Sequence, residues 1–425
     1  MLERKAFMAA SIGTLIEYYD YALFALFLPI LSPIFFPSSD HYDSLIKGYI
    51  ALLIAMIARP IGGIVFGIIG DRMGRRDALM LSIIGIGVST LMLAAVPSFA
   101  TIGIAAPILI VLCKTAQVFC FGGEYNGAGI YVVEHTKERQ AFWGSLLTAT
   151  TLCGSLLATL MGIVATLPSM PTWSWRIAFA FGGVMAIGGL YYRRLLTESP
   201  AFTPSLPKQF PFRDIFKKYP RGLLAGFFIG GMATVPFTTV LTFVNPVLTT
   251  QHFMTNHQLM LLQSCLIVVC ILTLVAAGRL ADRYSPSRVM RIGGLLLAVA
   301  AFPALLGIDQ HCFICIVIGQ VVLLIINEIL LGPSNAYLKN AFEGPYRYRA
   351  ASFSFTLGMS ILGGATPLIE HALYKATGHF SAIAIWLVAV GLATFFTIAA
   401  QSNVAIRNLP PLSRPPLMRQ ARGPH

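Results

Sequence analysis

The stretch SIGTLIEYYDYALFALFLPILSPIFF, residues 11–36, has the length and apolar content of a membrane-spanning helix, yet it carries Glu17 and Asp20 within its first ten residues. About 20 apolar residues rising ~1.5 Å each cross a ~30 Å hydrocarbon core. A charge at the centre of that core costs at least ~2.5–3.5 kcal/mol on insertion scales, so it needs a partner or a watery cavity. The i, i+3 spacing puts both carboxylates on one helix face. The segment is too long for a signal peptide and has no small-residue cleavage site, so it reads as a retained first span.

The rest of the chain repeats the pattern. Of 425 residues, 56% are hydrophobic and 11% charged, with a mean hydropathy of +0.75; a soluble domain carries roughly 25% charged residues. Twelve apolar segments can be drawn, at about 8–35, 46–70, 77–97, 101–132, 140–167, 175–195, 220–249, 257–280, 289–308, 311–338, 348–374 and 379–401. The fold class is therefore an all-α polytopic membrane protein with twelve transmembrane helices, whose first partner is the lipid bilayer. Alternate junctions hold the basic residues, among them Arg4, Arg76, Arg139, Arg279 and Arg349, whereas the others hold little beyond Lys47, Arg176 and Lys375. By the positive-inside rule both termini lie in the cytoplasm of a cytoplasmic (inner) membrane protein. The net charge of +13 then reports topology, and no nucleic-acid partner is expected.

Cofactor chemistry finds no foothold. Cys312 and Cys315 form a CxxC spacing with no second pair, and a structural zinc site wants four ligands. No metal or cofactor is expected. There is no GxxxxGK[ST] loop for ATP and no HExxH, which argues against a pump or an intramembrane enzyme.

Two halves are visible. TESPAFTPSLPKQFPFRDIFKKYPRG, residues 197–222, is a polar, Pro-rich stretch near mid-chain. It divides an N-terminal six-helix bundle (1–196) from a C-terminal one (220–402) by a linker (197–219), with a basic tail (403–425) expected to be disordered. GIIGDRMGRR (67–76) follows segment two and GRLADRYSPSR (278–288) follows segment eight, placing Asp71 and Asp282 211 residues apart. Glycines let helix ends approach, and an aspartate can face the positive end of a neighbouring helix. Gly67, Asp71, Arg72, Gly74 and Arg75, with Asp282 and Arg283, are the candidate gating residues.

These loops resemble the signature loop of the major facilitator superfamily. Further motifs resemble its metabolite:proton symporter branch, which includes proline/betaine, α-ketoglutarate, citrate and shikimate carriers. The strings are Glu17-Tyr18-Tyr19-Asp20, then Lys114, Gln117 and Gly122-Gly123-Glu124, then SWRIAFAFGG (174–183), ESPAF (198–202), PYRYR (345–349) and GGATP (363–367). The resemblance runs over nearly the whole chain. It implies two pseudo-symmetric six-helix bundles, alternating access between them, and loops that gate it. Lys114 stands where the family has arginine, and Val118 and Ser285 stand where it has glycine. The lysine matters most, because an ammonium is a point charge and cannot grip a carboxylate bidentately.

The deep charges form a constellation of their own. Burial favours the neutral form of a carboxylate and a nearby cation its charged form, so a cation that moves between Asp20 and a substrate would let Asp20 take up a proton. Asp20 is the first candidate for proton coupling, with Glu124 and Glu328 as rivals. Glu17, Tyr21, Arg59, Lys114, Asn245 and Asn327 are candidate substrate contacts. The plainer readings stay open: a structural ion pair for Glu17 and Asp20, a snorkelling Arg59 beside Pro60, a gate role for Glu124. Glu370 and His371 read as the solvated end of segment eleven.

The function this supports is secondary active import of one small polar metabolite with protons, by a monomer. A 100 mV potential supplies ~2.3 kcal/mol per charge, enough to drive accumulation. An amino acid or betaine-like zwitterion suits a pocket with both signs of charge; an organic acid or a nucleoside is the alternative. Efflux of apolar or cationic compounds would want few cations, which Arg59 and Lys114 contradict.

Overall fold

A computed structural model describes residues 2–407 apart from 74, 123–124, 126–127, 130–131, 134–135, 137, 194–211, 311 and 343. Among the described residues, ten helices are long and apolar enough to cross a membrane: Ala10–Phe35, Asp43–Phe66, Asp77–Ala95, Gln140–Ala165, Pro220–Thr250, His257–Tyr284, Pro286–Asp309, Phe313–Ala341, Arg349–Thr377 and Phe380–Gln401. Two shorter apolar helices, Ala105–Phe121 and Trp175–Tyr191, fill the fourth and sixth places. In chain order these are spans one to twelve. The described residues contain no strand, as expected where every backbone polar group must be satisfied within its own segment.

Each span is dressed for lipid on one side and for protein on the other. On span two, Ile50, Ile54, Ile57 and Ile61 are exposed at helical spacing, while Ala51, Ala55, Met56 and Arg59 are buried. That polarity is the reverse of a soluble amphipathic helix. Capping chemistry marks several ends. Thr255 opens span eight with a capping box: its hydroxyl accepts the Gln258 N–H, and Gln258 Oε1 accepts the Thr255 N–H. Gly378, at φ 76°, closes span eleven in a conformation that favours glycine.

Spans seven and eleven depart from α geometry. Thr239–Val244 and Met359–Gly363 are π-helical turns, a feature common at functional sites. Pro246 has no N–H for the Thr242 carbonyl four residues back. The Tyr49 hydroxyl of span two takes that carbonyl at 2.6 Å, and Gln263 donates to the neighbouring Leu241 carbonyl at 3.3 Å.

The two halves touch at both ends of the molecule. At the end where the basic loops lie, Asp282 meets span five, and Asn335 donates to the Thr148 hydroxyl at 3.0 Å. At the opposite end Tyr49 meets Thr242, and Gly162 packs on Met260. A cavity lies between these contacts. Most of the linker, 194–211, and the tail beyond 407 lie outside the described residues; the linker's last part forms a short helix, Phe212–Lys218, before Pro220 opens span seven.

Candidate functional site

Arg59 is placed by a crossing of spans two and four that only glycine permits. A Cβ at Gly62 would stand 1.8 Å from the Phe119 carbonyl oxygen, and one at Gly122 would stand 2.1 Å from that of Arg59. This close crossing carries Arg59 inward, where its Nη2 donates to Glu17 Oε1 at 2.9 Å, with the two side chains 1% and 0% exposed. Tyr18 and Tyr21 cover the guanidinium, their ring centroids 6.0 and 5.7 Å from its carbon. Glu17 and Arg59 thus neutralise each other one layer behind the two tyrosines.

Asp20 faces another partner set. Its Oδ2 lies 2.8 Å from the Thr90 hydroxyl, which also lies 2.8 Å from the Ile86 carbonyl. Gln117 Nε2 donates to that hydroxyl at 2.6 Å, and Lys114 Nζ donates to Gln117 Oε1 at 2.6 Å. The i, i+3 spacing of Lys114 and Gln117 on span four produces this contact. The ammonium lies 4.8 Å from the Phe24 ring centroid, in cation–π range. Asp20 Oδ1 has no hydrogen-bond partner among the described residues and abuts Gly182, where a Cβ would approach to 2.2 Å. The structure therefore divides the N-terminal charges into two sets, Arg59 with Glu17 and Lys114 with Asp20.

The cavity wall is largely aromatic and aliphatic, with a few polar groups. One part is lined by Tyr18, Tyr21, Tyr125, Asn327, Glu328 and Phe355, among others. A second part shares Tyr21, Ser155 and Phe237, and adds Thr238 and Thr242. Tyr125 and Phe355 meet across the halves at 5.8 Å between centroids. Among the described residues no Lys or Arg lines either part. Asn327 Nδ2 donates to Glu328 Oε1 at 3.0 Å, and both side chains are fully buried.

Asn245 does not line this space; its Oδ1 accepts from Gln320 Nε2 at 2.7 Å, within the C-terminal half. Glu370 corrects the sequence expectation of a solvated helix end. It is 0% exposed and hydrogen-bonded to the Thr239 hydroxyl; His371 is buried beside it. Span eleven is packed against span seven there, so distance from the helix end did not mean contact with water. Thr90 and Thr239 were not anticipated at all.

Of the candidate gating residues, Asp282 is the informative one. Its Oδ1 and Oδ2 accept the N–H groups of Ala141 and Phe142, each at 2.9 Å, at the first turn of span five in the other half. A carboxylate on a helix N-terminus satisfies orphan donors and meets the positive end of the dipole. Ser285, three residues on, has φ 101°, a backbone setting suited to the glycine that the family carries there. Arg283 lies over the Tyr284 ring at 5.4 Å. Gly74 and Glu124, and the side chains at Gly67, Asp71, Arg72 and Arg75, lie outside the described residues.

Twelve helices in two halves that close around an aromatic cavity with a few polar groups, with buried charges on both sides of it, define a membrane transporter. Comparison with known proteins agrees. Residues 5–209 match the family model described as "Sugar (and other) transporter", and residues 236–421 match "Major Facilitator Superfamily". The proline/betaine transporter of Escherichia coli strain K12 is 30% identical over 430 residues, covering 96% of this chain and 86% of its own length. A putative proline/betaine transporter of Staphylococcus aureus strain COL is 33% identical over 411 residues, covering 93% and 87%. Among solved structures, the proton:xylose symporter XylE bound to 6-bromo-6-deoxy-D-glucose matches with a TM-score of 0.78 at 16% identity, over 94% of this chain and 95% of that one; this likeness is one of fold. The chain belongs to the major facilitator superfamily, in its metabolite:proton symporter branch, and is a multi-pass membrane transporter and not an enzyme.

Proposed function

We propose that the chain imports a zwitterion of the betaine or proline kind together with protons, across a cytoplasmic membrane, with both termini in the cytoplasm. One observation carries the substrate class: among the described residues, the cavity wall offers aromatic faces, one carboxyl group and neutral hydrogen-bond donors, but no cation. An onium group is attracted to the faces of Tyr18, Tyr21 and Tyr125 and to Glu328. The tyrosine hydroxyls and the Asn327 amide serve a carboxylate, and Arg59 behind Tyr18 and Tyr21 adds positive potential on that side. An organic diacid would want a cation on the wall, and Arg59 and Lys114 are both engaged elsewhere. The relatives named above, proline/betaine transporters, support the same class.

Coupling falls to Asp20. Protonation at Asp20 changes what Thr90 must do, and through Gln117 it reaches Lys114. Glu328 on the cavity wall is the substrate-facing acid, and the Asp282 contact with span five closes the end proposed to face the cytoplasm.

The test is substrate-driven acidification of proteoliposomes, with glycine betaine and L-proline in one panel and citrate, α-ketoglutarate and shikimate in another. Acidification by the first panel alone, lost in Asp20→Asn, is the expected result. Acidification by the second panel alone would overturn the substrate assignment. Uptake of labelled betaine without proton movement would overturn the coupling.

A further inference from the structure

Asp20 and Glu370 lie in different halves, yet the same local device holds each. Thr90 touches Asp20 and also the carbonyl of Ile86, four residues before it. Thr239 touches Glu370 and also the carbonyl of Val235, four residues before it, at 2.8 Å. A hydroxyl has one proton to donate and two lone pairs to accept with. When that proton goes to the carbonyl, the contact with the carboxyl must be made by a proton on the carboxyl. When the carboxyl is ionised, the hydroxyl must turn toward it and leave the carbonyl. Each pair therefore has two settings that differ by one proton.

At Glu370 the surroundings favour the protonated setting. The side chain is fully buried, and Oε2 has no hydrogen-bond partner among the described residues. Among the described residues, no cationic side chain is hydrogen-bonded or ion-paired to it. On its own helix, His371 feels the charges of Lys375 and Asp43, and the Tyr374 hydroxyl accepts from Gln251 at 2.7 Å. On span two, Lys47 donates to the Pro37 carbonyl, Tyr49 to that of Thr242, and Arg59 to Glu17. The π-helical turn from Thr239 and the short turn Phe380–Ile383 contribute no charge. An ionised carboxylate here would be buried against a single hydroxyl, and an unpaired buried charge costs several kcal/mol. Asp20, by contrast, has Lys114 at the end of its relay.

The position joins the site to the moving parts. Thr239 follows Thr238 of the cavity wall, and Glu370 lies three residues beyond Pro367 of the same wall. The π turn that holds Thr239 also presents the Thr242 carbonyl to Tyr49 of the other half. We propose that Glu370 is a second proton-binding site of this transporter, holding a proton while Thr239 and the Tyr49–Thr242 contact are closed and releasing it when they part. Its part in coupling rests on the symport reading above; its being protonated in the closed state does not.

Infrared difference spectra of the full-length protein in lipid nanodiscs at neutral pH, wild type minus Glu370→Gln, test the protonation. A carboxylic-acid C=O band present in wild type, shifted in heavy water and lost in the variant, is expected. A carboxylate signal in its place would overturn the proposal. Thr239→Val keeps the acid and removes its partner, so the band should move to higher frequency; an unmoved band would overturn the pairing. Reversal potentials in proteoliposomes then count protons per betaine. Glu370→Gln, a neutral mimic of the acid, should transport with the count lowered by one. An unchanged count would make Glu370 a structural acid and overturn its role in coupling. Betaine transport by wild type with no protons would defeat the symport reading and the coupling role together, while the infrared result still decides the protonation.

Discussion

Lys114 and Asp20 are joined through two intervening side chains, Gln117 and Thr90, in place of a direct ion pair. The relay keeps the two charges in communication while leaving the ammonium over the Phe24 ring.

Cutting the relay in the middle separates communication from charge. Gln117→Leu keeps both charged groups but removes the acceptor of Lys114 and one donor to Thr90. A hydrogen bond to a charged group contributes about 1.5–3 kcal/mol, so concentrative uptake should fall on the order of tenfold or more. Exchange of substrate at equal pH on both sides should persist. Unchanged concentrative uptake would show that Lys114 acts without Gln117.

Arg59 and Glu17 are the second pair, and here the contact is direct and dry. Removing one partner leaves an uncompensated buried charge, a loss of roughly 3–5 kcal/mol, whereas removing both is often close to neutral. Arg59→Met should therefore lower the thermal unfolding temperature strongly, and adding Glu17→Gln should recover most of the loss. Should the double variant melt with the single one, packing of Arg59 on Tyr18 and Tyr21 is the main contribution instead.

Ser285 sits at φ 101° and ψ 141° between spans eight and nine. A non-glycine residue held in such a region carries on the order of 1–3 kcal/mol of strain. Glycine relieves it at a conformational-entropy cost of about 0.5–1 kcal/mol. Ser285→Gly should raise the unfolding temperature, and Ser285→Val should lower it. Equal melting of all three would mean that the loop relaxes at no cost.

What the sequence made legible was contrast: acids and bases inside apolar runs, and a loop repeated at half-length spacing. Glu17, Asp20, Arg59, Lys114 and Glu328 stand out because hydrocarbon penalises them, and all five are buried. Their pairing was not legible, because Arg59 reaches Glu17 across 42 positions and Thr90 reaches Asp20 across 70. Thr90 and Thr239 look like Thr14 or Thr159, which bond the carbonyl four residues back, as threonines in apolar helices commonly do. Glu370 was misread because position along a span sets depth, and depth alone does not say what packs alongside. The helical breaks of both spans are marked by proline: Pro246 stands four residues beyond Thr242 in span seven, and Pro367 stands four residues beyond Gly363 in span eleven.

Asp282 bridges the halves with two hydrogen bonds to the first turn of span five. Asparagine would keep one acceptor, lose the charge, and turn an amide N–H toward a backbone N–H. A carboxylate at a helix N-terminus contributes about 0.3–1 kcal/mol, which is roughly a two- to fivefold change in a two-state ratio. Asp282→Asn should therefore raise the population open at this end by that factor. Spin labels at Glu138 and Tyr284, one on each half, would report it as added weight at long distance. The substrate should counter the shift if it binds the closed cavity best, since a ligand moves an equilibrium only by its difference in affinity. An unchanged distance distribution would mean that the Asn335 contact and the packing around it hold this end shut without Asp282.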